Sequence, residues 1–367
     1  SPATCALKKC VADPGGFSQA GQQAGLTTVQ TSGGRDCPRC SEPKRHGVLP
    51  AGFEGISGLA SSRRHPGYYY AVVDHPEVPQ VVMLRDTGEV IQRINLTGAE
   101  LPRGRRLGKP GHDQMGDWES LAVAPCTLRS DVSSLHSEES CIYIADTGHN
   151  CARPSKNCSG ENYRWFRDVY RILRVAEPSL GDETQKSAPC DQFWFQFPGG
   201  QAFDVESLMM TPGGEAFVLT KEDGGHSHVF GLRLVDGLGE APVVADLIGV
   251  LKVPELAAGR PVHPGIQGEA WVTGASMRWA GLTSTGFSVR TPRHVLYFPL
   301  DGQSLGTQSL IVGIGEALVS KQPCELPSLL LKQSESVAWE LSNGSSYLLT
   351  SEGDHFIYKV DCDLDSQ

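Results

Sequence analysis

Five times along the chain a polar residue is followed by Gly or Ser and then an apolar run: GISGLAS (55–61), DWESLAV (117–123), DVESLMM (204–210), VTGASMR (272–278) and SESVAWE (334–340). Aligned, these segments place Ser57, Glu119, Glu206, Thr273 and Glu335 at one equivalent position, with steps of 62, 87, 67 and 62 residues. A long period of this kind marks a repeat architecture, in which each unit buries its apolar face only against its neighbours. Every segment leads into a second β-branched and aromatic run, YYYAVVD (68–74), CIYIAD (141–146), EAFVLTK (215–221), TGFSVRT (285–291) and SYLLTSEG (346–353), and then into a third. Such runs, bounded by Gly, Pro, Asp and Ser, read as short strands. The steps accommodate a four-stranded antiparallel blade with its loops. The predicted fold is therefore all-β, a single β-propeller in which five blades are counted and the spacing admits six.

Too few residues follow Glu335 to build four strands. A strand from around 45–55 is expected to complete blade five, which closes the ring and removes the exposed sheet edges. The chain thus divides into a Cys-rich extension, 1–45, and a propeller, 46–367.

Eleven cysteines and three Asn-x-Ser/Thr sequons, at Asn95, Asn157 and Asn343, point to an oxidising compartment and a secreted glycoprotein. A first residue Ser1, without a charged-then-apolar leader, is expected of a mature secreted product. Up to five disulfides are expected, with one cysteine left for a bond to another molecule. Cys126 with Cys141 and Cys151 with Cys158 are the natural local pairs, because each closes a short loop in blade two. Cys37-x-x-Cys40 is half of a zinc ribbon, but no second C-x-x-C completes it, and disulfide bonding is the expectation.

A formal charge of −10, with the densest basic cluster only RGRRLGK at 103–109, argues against nucleic acid as a partner. No apolar run approaches the ~18 residues of a membrane-spanning helix.

The segments ISGLA, DWESLAV, the Ile-Ala-Asp-Thr-Gly-x-Asn run at 144–150, DVESL, LTK, VTGAS, Val-Arg-Thr at 289–291 and QSES…TSEG together resemble the secreted β-propellers of the phytase-like and esterase-like domain family. The resemblance covers most of 55–361, in order. It implies a propeller fold and carries over Asp117, Glu119, Asp146, Asp204, Glu206, Lys221, Arg290, Gln333, Glu335 and Glu352 residue by residue. Two places depart from the family pattern: Gly148-His149-Asn150 stands where the family has Gly-Asp-Asn, and Asp74-His75-Pro76 where it has a Ser-Gly-Asp-like turn.

Equivalent positions of successive blades surround one axis, so Glu119, Glu206 and Glu335 form an acidic ring, with Asp117 and Asp204 two residues earlier. Asp74, Asp146 and Arg290 end second strands, and Lys221 lies one position further on. Carboxylates within about 4–6 Å raise one another's pKa, and a bound cation relieves them. Oxygen-only ligands favour Ca2+ over Zn2+. Asp117, Glu119, Asp146, Asp204, Glu206, Glu335 and Glu352 are the candidate metal ligands. Lys221 and Arg290 either pair with these acids or hold an anionic group beside the metal.

Three readings stay open at this point. The acids accept hydrogen bonds that lock the blades, or they bind Ca2+ in an extracellular binding protein for a glycan, a protein or a small anionic ligand, or they serve a metal-dependent phosphoric or carboxylic ester hydrolase. In the last case Lys221 and Arg290 are the candidate catalytic residues. The absent acid at His149 and the lack of an evident nucleophile favour binding. Elsewhere, His226-x-His228 puts two imidazoles on one strand face, an arrangement more often solvated than metal-bound. Ser57 lacks a nucleophile elbow, and the tryptophans are expected to pack between blades rather than stack on sugars.

Overall fold

The computed structural model describes residues 37–53, 55–74, 78–99, 116–126, 139–149, 152, 169–180, 187–234, 242–253, 270–280, 283–300, 307–320, 322–331 and 333–363. Every described residue belongs to one compact unit, Gly34–Gln367.

That unit is a five-bladed β-propeller. Its five separate sheets each hold four antiparallel strands that run from an inner to an outer edge. The inner strands are Ile56–Ser61, Trp118–Pro125, Val205–Met210, Gly274–Ala280 and Ser334–Trp339, and each touches the next around a closed ring. The sequence motifs supply these strands. Their small residues allow close approach at the crowded axis: a Cβ on Gly58 would meet the backbone of Ser120 and Leu121, and one on Gly274 the carbonyl of Glu335. Three of them, Ile56–Ser61, Val205–Met210 and Ser334–Trp339, are buried along their whole length. Neighbouring blades cover both of their faces, so an alternating pattern is not required of them. Outer strands keep it in part: Ile94 and Leu96 of Val90–Thr97 are buried between exposed neighbours.

Ring closure uses Lys44–Val48, at the upstream end of the expected segment, paired antiparallel with Asp354–Asp361. Gly47 and Gly88 let this strand lie against the turn of blade one, where the Val48 amide donates to the Thr87 carbonyl at 3.0 Å. Disulfides clamp the closure. Cys40–Cys362 joins residues 322 apart in sequence, and Cys37–Cys324 reaches the outer strand of blade four across 287. Cys37 and Cys40 thus bond to separate blades. Cys126–Cys141 is formed as expected in blade two. Cys151, Cys158 and the sequon Asn157 lie outside the described residues, whereas Asn95 and Asn343 are exposed.

Among the described residues, two short edge strands and an α-helix escape the repeat reading. Ser187–Pro189 and Val243–Val244 add parallel edges to blades one and two, and a helix, Thr307–Ser320, lies between the third and fourth strands of blade four. The helix buries Leu310, Ile314, Ala317 and Leu318, at helical spacing, against Asp246–Lys252 of blade three. No described helix is long and apolar enough to cross a membrane. Trp118, Trp279 and Trp339 are almost fully buried between blades, as packing residues.

Candidate metal centre

Four of the five inner strands carry a register shift at one place: between Ile56 and Gly58, Trp118 and Ser120, Val205 and Ser207, and Ser334 and Ser336. The residue inside each irregularity is Ser57, Glu119, Glu206 or Glu335, the repeat position itself. A bulge leaves one residue out of the ladder and re-aims its side chain. In blade four Thr273 directly precedes the strand and donates its amide to the Arg290 carbonyl at 3.0 Å.

Side chains from several blades meet at this level. Asp74, Asp117 and Glu119 bring carboxylate oxygens within 4.8 Å of one another, and so do Glu119, Asp204 and Glu206. Glu119 belongs to both groups and joins them. At the same repeat position, Ser57 Oγ, Thr273 Oγ1 and Glu335 Oε2 are buried without a hydrogen-bond partner. Buried polar atoms of this kind are costly unless something satisfies them. Two glycines make room for the acids. A Cβ on Gly148 would collide with the Glu119 and Asp117 carboxylates, and one on Gly116, at φ 82°, with that of Asp146.

The electrostatics follow from burial and crowding. Burial, followed by the charge of Asp117, pushes the Asp74 carboxyl up to about 9. Burial and then Glu206 hold Glu119 well above the usual carboxylate range. Glu335 is raised by burial despite the opposing charge of Lys221. For Lys221, burial works against the cation, but Glu206, Glu335, Asp204 and Glu119 together outweigh it and raise its pKa. Lys221 Nζ donates to Glu206 Oε1 at 2.8 Å.

The remaining sequence candidates lie outside the two three-carboxylate groups. Asp146 is fully buried in an ion pair with Arg171 Nε at 2.6 Å and also accepts the Asp117 amide at 2.9 Å. Its carboxylate lies beside the acidic groups as their scaffold. Arg290, also fully buried, donates to Ser328 Oγ at 2.6 Å, the Leu329 carbonyl at 3.1 Å and Ser334 Oγ at 2.9 Å. It anchors the segment that enters blade five. Glu352 accepts from Gln333 Nε2 at 2.7 Å, and Gln333 holds a left-handed φ of 52°, strained for a residue with a side chain. The His149 amide donates to Asp204 Oδ1 at 2.7 Å across the blade boundary, while its ring meets the Tyr170 hydroxyl at 3.3 Å. Asp204 therefore fastens blade two to blade three as well as belonging to the acidic group.

Sequence reasoning missed Arg171, although a charged residue next to the apolar run Ile172–Leu173 in the strand Tyr170–Ala176 calls for a partner when buried. It also missed Gly116 and Gly148, whose role depends on what approaches them.

The centre can hold a hard divalent cation: its donors are carboxylate oxygens, several more than one lysine can neutralise. No family model matches the sequence, and no curated protein matches it. Among solved structures, the chain is similar to the aldose sugar dehydrogenase of Streptomyces coelicolor in its PQQ-bound form, at 12% identity and a TM-score of 0.43 over 89% of this chain and 100% of that one. It is also similar to Raptor of Chaetomium thermophilum, at 10% identity and a TM-score of 0.37 over 89% of this chain and 29% of that one.

Proposed function

We propose that the protein is an extracellular β-propeller whose channel mouth binds Ca2+ and uses it to hold an anionic group of a glycan, a protein or a small ligand. The carrying observation is the pair of three-carboxylate groups that share Glu119. Carboxylates at such distances repel by about 4 kcal/mol per pair at an effective dielectric of 20. A cation with six to eight oxygen ligands removes that repulsion, and Ca2+ tolerates the irregular geometry that bulged strands provide better than Mg2+ does. Asp74, Asp117, Glu119, Asp204 and Glu206 would be the ligands, with Glu335 completing the ring. Three disulfides among the described residues support an oxidising compartment.

Binding is favoured over ester hydrolysis by the state of the two cations. Lys221 is engaged by Glu206, and Arg290 by Ser328, Leu329 and Ser334. Neither is left to stabilise charge developing on a leaving group. Metal analysis of the purified protein is expected to find Ca2+, and chelation to lower its melting temperature. Phosphate or nitrophenol release from generic esters is expected to be insensitive to chelator. A melting temperature indifferent to Ca2+ would overturn the site, and chelator-sensitive turnover would replace binding with hydrolysis.

A further inference from the structure

We propose that Glu222, His226 and His228 form a second metal site, on blade three, that takes a transition ion of the Zn2+ class. The three residues lie in one short stretch, Glu-Asp-Gly-Gly-His-Ser-His, which turns from the second into the third strand. Gly224 and Gly225 at φ 93° and 74° fold Glu222 back over the strand His226–Leu232. Glu222 Oε2 lies 3.1 Å from His226 Nε2 and Glu222 Oε1 lies 2.6 Å from His228 Nδ1. All three donors fall within 4.8 Å of one another. Ligands bound to zinc at about 2.0–2.1 Å in a tetrahedron stand about 3.3 Å apart, inside the range found here.

The donors are held in place. His228 packs against Phe203, with ring centroids 5.3 Å apart, and lies nearly parallel to Phe230. Glu222 Oε1 accepts from the Thr220 hydroxyl and from the His228 amide at 3.3 Å. Supporting contacts of this kind orient metal ligands and tune affinity. Two imidazoles and one carboxylate prefer zinc, copper or nickel, unlike the oxygen-only channel. Three protein donors match the count of catalytic zinc sites, where water or an exogenous ligand takes the fourth position. The preceding residue, Lys221, turns the other way, to Glu206. The inference does not depend on Ca2+ in the channel.

The test titrates Zn2+ calorimetrically into chelator-stripped full-length protein, with and without excess Ca2+, and follows Co2+ binding by its visible d–d absorption. One equivalent of Zn2+ that excess Ca2+ does not displace is expected. His226→Gln and His228→Gln should each weaken it about tenfold or more, with the melting temperature in EDTA unchanged. Should the His228 variant melt lower in EDTA, the His226 variant decides, since that side chain is 42% exposed. Displacement of Zn2+ by Ca2+, or undiminished affinity in His226→Gln, would overturn the site while leaving the channel reading untouched.

Discussion

Lys221 sits 2.8 Å from Glu206 with both side chains largely buried, one cation inside a carboxylate cluster that spans blades. The pair limits the repulsion that the other acids suffer. Replacing the lysine leaves Glu206 as an uncompensated buried charge, a loss of about 3–5 kcal/mol in typical cases. Lys221→Met is expected to lower the denaturation midpoint strongly in chelator and much less in Ca2+, because the metal takes over the neutralisation. Equal losses in both buffers would detach Lys221 from the metal site.

Glu119 is shared by both carboxylate groups, whereas Asp146 is committed to Arg171. Glu119→Gln is therefore expected to abolish most of the Ca2+-dependent stabilisation, which for a ligand at a hundredfold excess over its Kd is about 2.7 kcal/mol. Asp146→Asn should destabilise the fold by about 3–5 kcal/mol and leave Ca2+-dependent stabilisation in place. Calorimetric melts of both variants in Ca2+ and in EGTA separate the two roles. The reverse pattern would exchange them.

Gly148 borders the same carboxylates without a Cβ of its own. Gly148→Ala is expected to displace Glu119 and Asp117 and to weaken Ca2+ binding, measured by calorimetric titration. Unchanged affinity would show that these two acids do not ligate the ion.

In chelator, the raised pKa of Asp74, about 9, and those of Glu119 and Glu335 set the pH response. Folded carboxyls that titrate above the ordinary range near 4 hold protons that the unfolded chain has already released. Stability is thus fully present at low pH and declines as pH rises towards about 9. Urea midpoints in EGTA should fall between pH 5 and 9. In Ca2+ the slope should flatten, because the metal replaces the protons. A midpoint rising over this range in EGTA would mean that the acids are ionised without help.

Cys40–Cys362 and Cys37–Cys324 clamp the strand that closes the ring. Cys40→Ser with Cys362→Ser should cost about 2–4 kcal/mol and increase proteolysis near the closing strand. Cys126–Cys141 closes a loop of only 15 residues in sequence, and replacing both with serine should cost about 3 kcal/mol, with no effect on ring closure. Limited proteolysis beside urea denaturation reads both.

The sequence by itself determined the blades and the equivalence of Ser57, Glu119, Glu206, Thr273 and Glu335, because strand periodicity, turn residues and repeat spacing are local properties of the chain. The Cys126–Cys141 bond was legible for the same reason: its loop is short. Tertiary structure decided what the acids do. Asp146 and Asp204 are both candidate ligands from the sequence, yet Arg171 claims one and the His149 amide from the neighbouring blade holds the other beside Glu119 and Glu206. Cys37 and Cys40 stand three apart and bond to separate blades across 287 and 322 residues. Arg171 faces Asp146 through the strand pairing inside blade two, while the other partners meet only when blades distant in sequence become neighbours, and such contacts leave no trace in the order of residues along the chain.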